Sequence, residues 1–268
     1  MSGQAKRNNK KTEAASDFYF ERQTGEKSPY LSLAKISDGV ALFAVLRGSL
    51  TVIIDGEGRT LSEGEMALVP RHSVYCLRYD GDDSEIISLG ASDALCQELG
   101  IFEGGACPEV SPNSRHNSEK MLKILDTLFE IYDNSEKTPE ISAYIAHSAF
   151  YALATVFPPI QQKKNPSRDA VCEALSYINE NIEKQISLDS LAEELGYTKN
   201  HLSFIFNKFT GTSLREQLNR KRLALVARLR LEDPGSPFYR IVLRAGFDSQ
   251  NTYYRALSRY GDGASVKN

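Results

Sequence analysis

SLDSLAEELGYTKNHLSFIFNKFTG, residues 187–211, is the stretch that decides how the rest of this chain is read. Leu188, Leu191, Ala192 and Leu195 recur at helical spacing, and Leu202, Ile205, Phe206 and Phe209 repeat the same interval. Each set therefore lies along one face of a short amphipathic helix. Gly196 stands where the first helix must stop, because glycine accepts the left-handed backbone of a helix end. Thr198 is placed to cap the second. Two helices that share a small core across a glycine turn form a helix-turn-helix. The second helix turns Lys199, Asn200, Ser203, Phe204, Asn207 and Lys208 outward.

The interval then returns. Phe238, Ile241, Val242 and Ala245 precede Gly246, as the first stripe precedes Gly196. Tyr253, Ala256, Leu257 and Tyr260 form the inner face of a following helix, with Asp248 or Ser249 to cap it. Gln250, Asn251, Tyr254, Arg255, Ser258 and Arg259 lie outward. A longer helix, Leu214–Glu232, joins the two motifs. It carries an inner stripe of Leu214, Leu218, Leu225 and Leu229, and a basic set that includes Arg215 and Arg222. A further helix over 170–183 is positioned to buttress the first motif.

Charge follows the same division. The chain of 268 residues has a formal net charge of −3. From Gly196 onward there are 13 lysines and arginines against 5 aspartates and glutamates, while the preceding 195 residues hold 19 basic and 30 acidic side chains. A basic segment on an acidic body predicts a polyanionic partner for that segment alone. The cysteines, at 76, 96, 107 and 172, lack metal-ligand spacing and read as reduced thiols. The polar N-terminus has no secretory pattern, and no apolar run approaches a membrane span. A cytoplasmic protein with no membrane partner is expected.

The first 168 residues read differently. Residues 1–17 are polar and basic, and a disordered tail is expected there. From Phe18 to about Gly90, short apolar runs alternate with turns: Tyr30–Ile36, Val40–Leu46, Leu50–Ile54, Met66–Val69, Val74–Tyr79 and Glu85–Leu89. Asp55-Gly56-Glu57-Gly58 is a hairpin signal. Short strands at this spacing predict an antiparallel barrel or sandwich, and the order of runs resembles the small jelly roll of the cupins. Metal-binding cupins use a cluster of histidines, whereas this region holds His72 alone, so no metal and no other cofactor is expected. Arg71 and His72 fit a rim turn or a ligand contact at the barrel mouth, and Phe18, Tyr19, Phe20 and Tyr30 fit the barrel core or the lining of a pocket. Residues 104–117 read as a loop, Ser118–Asp133 and Pro139–Phe157 as helices, and PPIQQKKNPSR (158–168) as a linker.

The runs ISLDSLAEELGYTKNHLSFIFNKFTGTSL, LNRKRLALVARL and RAGFDSQNTYYRALSRY together resemble the DNA-binding domain of the AraC/XylS family of bacterial transcription regulators. The resemblance implies an α+β protein. A cupin-like antiparallel barrel with flanking helices (18–157) precedes an all-α, two-motif reader (169–268). By position it implies that Asn200, Ser203 and Phe204, and then Gln250, Asn251, Tyr254 and Arg255, reach base edges. The residue types suit that role: Asn and Gln pair with adenine, Arg with guanine, and an aromatic ring meets a thymine methyl. Lys199, Lys208, Arg222 and Arg259 suit phosphates. The second motif departs from the family pattern at Ile241-Val242-Leu243, at Ala256-Leu257-Ser258-Arg259 and after Gly261. Recognition is therefore expected to rest more on Asn200, Ser203 and Phe204.

The expected function is a sequence-specific, DNA-binding transcription regulator, an activator by family habit. Its expected partners are double-stranded DNA, RNA polymerase, a second copy of the chain, and a small-molecule effector held by the barrel. A cupin enzyme, or a small-molecule-binding protein with a helical partner-binding module, is the alternative. The enzyme would require a metal cluster or catalytic dyad within 18–90, and the sequence offers none there.

Overall fold

The computed structural model describes residues 17–28, 31–100, 106–108, 115–157, 159–161 and 164–261. The expected tail (all but Asp17), Tyr30, most of the 104–117 loop and the residues after Gly261 lie outside these.

Strands β1 (Phe18–Gly25), β2 (Lys35–Ile36), β3 (Val40–Arg47), β4 (Ser49–Ile54), β5 (Glu57–Ser62), β6 (Met66–Val69), β7 (Val74–Tyr79) and β8 (Ser84–Ala91) build two four-stranded antiparallel sheets. Their orders are β1-β8-β3-β6 and β2-β7-β4-β5. The β4–β5 loop is the two residues Asp55 and Gly56, at φ 50° and 84°, between the pair Ile54–Glu57. Positive φ at both positions is the geometry an Asp-Gly hairpin favours.

Alternation along the first sheet serves two cores. Ala41, Phe43, Val45 and Ile86 point inward onto Leu50, Val52, Ile54 and Leu61 of the second sheet. Leu42, Ala44, Leu68, Ile87 and Leu89 point outward beneath helices. Strand β3 is buried on both faces, which is why Val40–Leu46 is a continuous apolar run. After the short α1 (Asp93–Glu98) and β9 (Ala106–Pro108) come those covering helices, α2 (Arg115–Asp133) and α3 (Pro139–Ala154). Phe18 and Phe20 pack against Phe129 and Tyr132 of α2 rather than into the barrel. Tyr19 lies over Gly90, where an added Cβ would come within 2.2 Å of its ring. His72 occupies a tight turn at φ 56°, and Arg71 pairs with Asp93 at 3.1 Å.

The expected linker is corrected in part. Pro159–Gln161 forms strand β10, antiparallel to β9, and Pro166 already opens helix α4 (Pro166–Asn181), capped by Asn165. Then follow α5 (Leu188–Glu194), α6 (Lys199–Thr210), α7 (Leu214–Glu232), α8 (Phe238–Arg244) and α9 (Gln250–Tyr260). Helices α4, α5 and α6 share one core with the start of α7, and that core includes Ala34 and Val74 of the barrel side. The end of α7 shares a second core with α8 and α9.

The barrel thus forms part of the first motif's foundation. Gln217 Nε2 donates to the Ala34 carbonyl at 3.1 Å, Arg220 Nη1 to the Leu31 carbonyl at 2.5 Å, and the Cys76 thiol to the Thr210 carbonyl at 3.3 Å. Arg168 of α4, largely buried, stands 3.7 Å from Asp55. Burial pushes the Asp55 carboxyl above its ordinary value, although the Val74 N–H, the Ser73 hydroxyl and Arg168 all pull it down.

Candidate nucleic-acid interface

The two helix-turn-helix units close in the same way, bond for bond. The Gly196 N–H donates to the Glu193 carbonyl at 3.1 Å, and the Tyr197 N–H reaches back to Ala192 at 2.8 Å. The Gly246 N–H donates to Leu243 at 3.0 Å, and the Phe247 N–H to Val242 at 3.3 Å. Both sets form the double bond of a Schellman turn around a left-handed glycine, at φ 72° and 91°. The departures noted in the second motif leave this turn intact.

Side-chain caps fix where the two outward helices begin. Thr198 accepts the His201 N–H at the start of α6, and Ser249 accepts the Thr252 N–H at the start of α9. The candidates for base contacts are then brought to two surfaces. On α6, Asn200 and Phe204 are exposed and Ser203 is half-buried; 68% of Phe204 is accessible. On α9, Gln250, Asn251, Tyr254 and Arg255 are exposed, and the Tyr254 ring is held edge-on against Tyr253 at 5.2 Å. Each outward helix thus carries one large ring in water near its middle, Phe204 on α6 and Tyr254 on α9. Asn251, Tyr254, Arg255 and Ser258 together line a shallow recess.

The expected phosphate ligands divide. Arg259 is exposed beside Tyr260 on the outward side of α9. Lys199 is exposed, and its Nζ lies 2.8 Å from Asp189 of α5. Lys208 sits at the far end of α6, its stem against the β4–β5 turn: a Cβ on Gly56 would stand 3.2 Å from Lys208 Cγ. Arg222 requires correction. It is buried, with Nε donating to the Ile182 carbonyl at 3.1 Å and Nη2 to Lys184 at 2.6 Å, over the Phe247 ring. Its guanidinium ties the α4–α5 connection to the second motif instead of facing phosphate. Burial lowers its pKa from the ordinary value of 12.5, with Asp248 opposing.

Between the two outward helices runs a cleft of about 520 Å³, lined by Ser203 from α6, Arg255 and Arg259 from α9, and Arg215 and Asn219 from the start of α7. Asn219 was not among the expected residues. Its signal is position: one turn after Arg215, on the same side of a helix whose N-terminus is capped by Ser213. On another side of α7, a cavity of about 360 Å³ opens between Ala224, Ala227 and Arg230, the rings of Phe238, Tyr253 and Tyr260, and Leu33 from the barrel side.

Residues 191–261 match the model of a helix-turn-helix domain family. The chain is 31% identical over 100 residues to the multiple antibiotic resistance protein MarA of Escherichia coli K12, covering 37% of this chain and 78% of that one. It is 33% identical over 90 residues to the HTH-type transcriptional activator AarP of Providencia stuartii (34% of this chain, 66% of that one). Among solved structures, ToxT from Vibrio cholerae O395 aligns over 91% of this chain and 94% of its own, with a TM-score of 0.48 and 14% identity.

Proposed function

The chain belongs to the AraC/XylS family of transcription regulators, a DNA-binding family, and we propose that it reads its sites by placing α6 and α9 in successive major grooves. Asn200, Ser203 and Phe204 meet bases in one groove; Gln250, Asn251, Tyr254 and Arg255 meet them in the next. Grooves on one face of the duplex recur about every 34 Å, and α7, packed on both motifs, is the strut that holds the heads in step. Arg215, Asn219 and Arg259 neutralise the backbone that crosses the cleft between them. The observation that carries this reading is the pair of identical turns, each presenting an exposed aromatic ring in the middle of its second helix.

Activation is the mode that the name of the AarP relative carries, and in this reading it proceeds by contact of the DNA-bound chain with RNA polymerase. The cavity beside α7 gives a small-molecule effector a place where the barrel side meets the reader, and binding there shifts α9 relative to α6. A homodimer is supported by the outer faces of α2 and α3, where Ile124, Ile131, Tyr144 and Tyr151 are 43–74% exposed.

The test is a gel shift of the full chain on its own upstream DNA at several salt concentrations. A retarded complex that weakens steeply with salt and resists non-specific competitor is expected. No complex at low salt overturns the reading.

A further inference from the structure

Helices α5 and α8 occupy the same place in the twin motifs, each lying over its outward helix, yet their exposed faces carry opposite charge. On α5 the exposed side chains include Asp189, Glu193 and Glu194, with no basic residue in the helix. On α8 they are Tyr239, Arg240, Leu243 and Arg244, with no acidic residue. Tyr239 and Leu243, one turn apart, are 47% and 50% exposed. Arg240 spends its Nε on the Tyr239 hydroxyl at 3.1 Å. Among the described residues Arg244, Glu193 and Glu194 have no ion-pair partner. A basic, half-apolar face on the second motif thus matches an acidic face on the first.

We propose that the α8 face docks the α5 face of a second copy of this chain bound at the adjacent DNA site in the same orientation. The inference rests on the reading above that one chain spans two grooves. If the heads lie in order along the duplex, a direct repeat brings the second motif of one copy beside the first motif of the next, basic face to acidic face. An inverted repeat brings like against like, α8 to α8 or α5 to α5, and like charges in apposition select against that arrangement. The contact is head-to-tail, uses two different surfaces, and therefore repeats along the DNA without closing. It uses surfaces separate from the outer faces of α2 and α3. Arg240 and Arg244 supply the charge, and Tyr239 and Leu243 supply apolar area that loses water on contact.

The experiment uses the full chain and a binding site selected from random-sequence DNA, rebuilt as a single site, a direct repeat and an inverted repeat at several spacings. The wild type is expected to fill the direct repeat cooperatively, the second copy about tenfold tighter than the first, and the inverted repeat without cooperativity. R240E/R244E and E193K/E194K each abolish the cooperativity and keep single-site affinity, which also reports that each variant folds. An equal mixture of the two variants recovers it on the direct repeat. Equal cooperativity on both repeats, or cooperativity that survives both charge reversals, overturns the proposal while leaving DNA reading intact. Absence of single-site binding by the wild type overturns the reading itself, and the proposal with it.

Discussion

Phe204 and Arg222 show how far apart two residues with adjacent roles on paper fall in the folded chain. Phe204 is free of the protein core, so Phe204→Ala removes only what it does for a partner. Its specific DNA affinity is expected to drop about tenfold, equivalent to about 1.4 kcal/mol, with an unchanged melting temperature; titration by fluorescence anisotropy and a thermal scan check the two halves. Arg222→Ala does the reverse. It strips the Ile182 and Lys184 carbonyls of a buried charged donor, and a loss of about 2–3 kcal/mol in urea denaturation is expected. Unchanged stability with weaker DNA binding would restore Arg222 to the phosphate face. Asp55 gives a pH signature. Burial is the largest influence on it and holds its folded pKa above the ordinary 3.8, so the folded chain keeps this proton longer than the unfolded one. Its contribution is therefore greatest at or below the unfolded pKa and falls as pH rises through the window above 3.8. Against Asp55→Asn, the wild type should gain relative stability from pH 6 to pH 4, and a relative loss on acidification would contradict the assignment.

At the scale of elements, the helices of the two motifs were legible in the sequence because each has one buried stripe and one wet face. Period and the turn glycine agree for α5 and α8, and period and cap agree for α6 and α9. Helix α7 is different. Its first half packs on one core and its second half on another, so its apolar residues make no single stripe, and an arginine among basic neighbours cannot be told inward from outward. That is why Arg222 was misread and Asn219 missed. The strand at Pro159–Gln161 was hidden for another reason: its partner, Ala106–Pro108, lies about 50 residues away, and a three-residue strand has no period of its own. The barrel strands were visible as runs, but nothing in those runs marked one sheet's outer face as the seat of the first motif. Gly246 joins the two levels. Its φ is 91°, and a Cβ there would stand 2.5 Å from the Ile182 carbonyl. Gly246→Ala therefore both strains the turn and displaces the connection that Arg222 ties down, and is expected to cost about 2 kcal/mol or more. Gly196→Ala, with open space around its Cβ, should cost only the left-handed backbone, about 1 kcal/mol. Equal losses in paired thermal melts would contradict this ranking.

On the scale of the whole molecule, an acidic barrel holds one face of a basic reader, and the reader's two heads are fixed to one strut. Because the barrel side supplies Ala34 and Val74 to the core under α5 and α6, a change in the barrel bears on the first head through that shared core, and on the second through α7 and the cavity that Leu33 lines. The central claim is that a single chain reads two grooves. The most direct measurement is hydroxyl-radical footprinting of one chain on its selected site, compared with Phe204→Ala and Arg255→Ala. The account predicts two protected patches on one face of the duplex, about 10 base pairs apart, with Phe204→Ala weakening one patch and Arg255→Ala the other. A single patch, or two that both substitutions weaken alike, would contradict it.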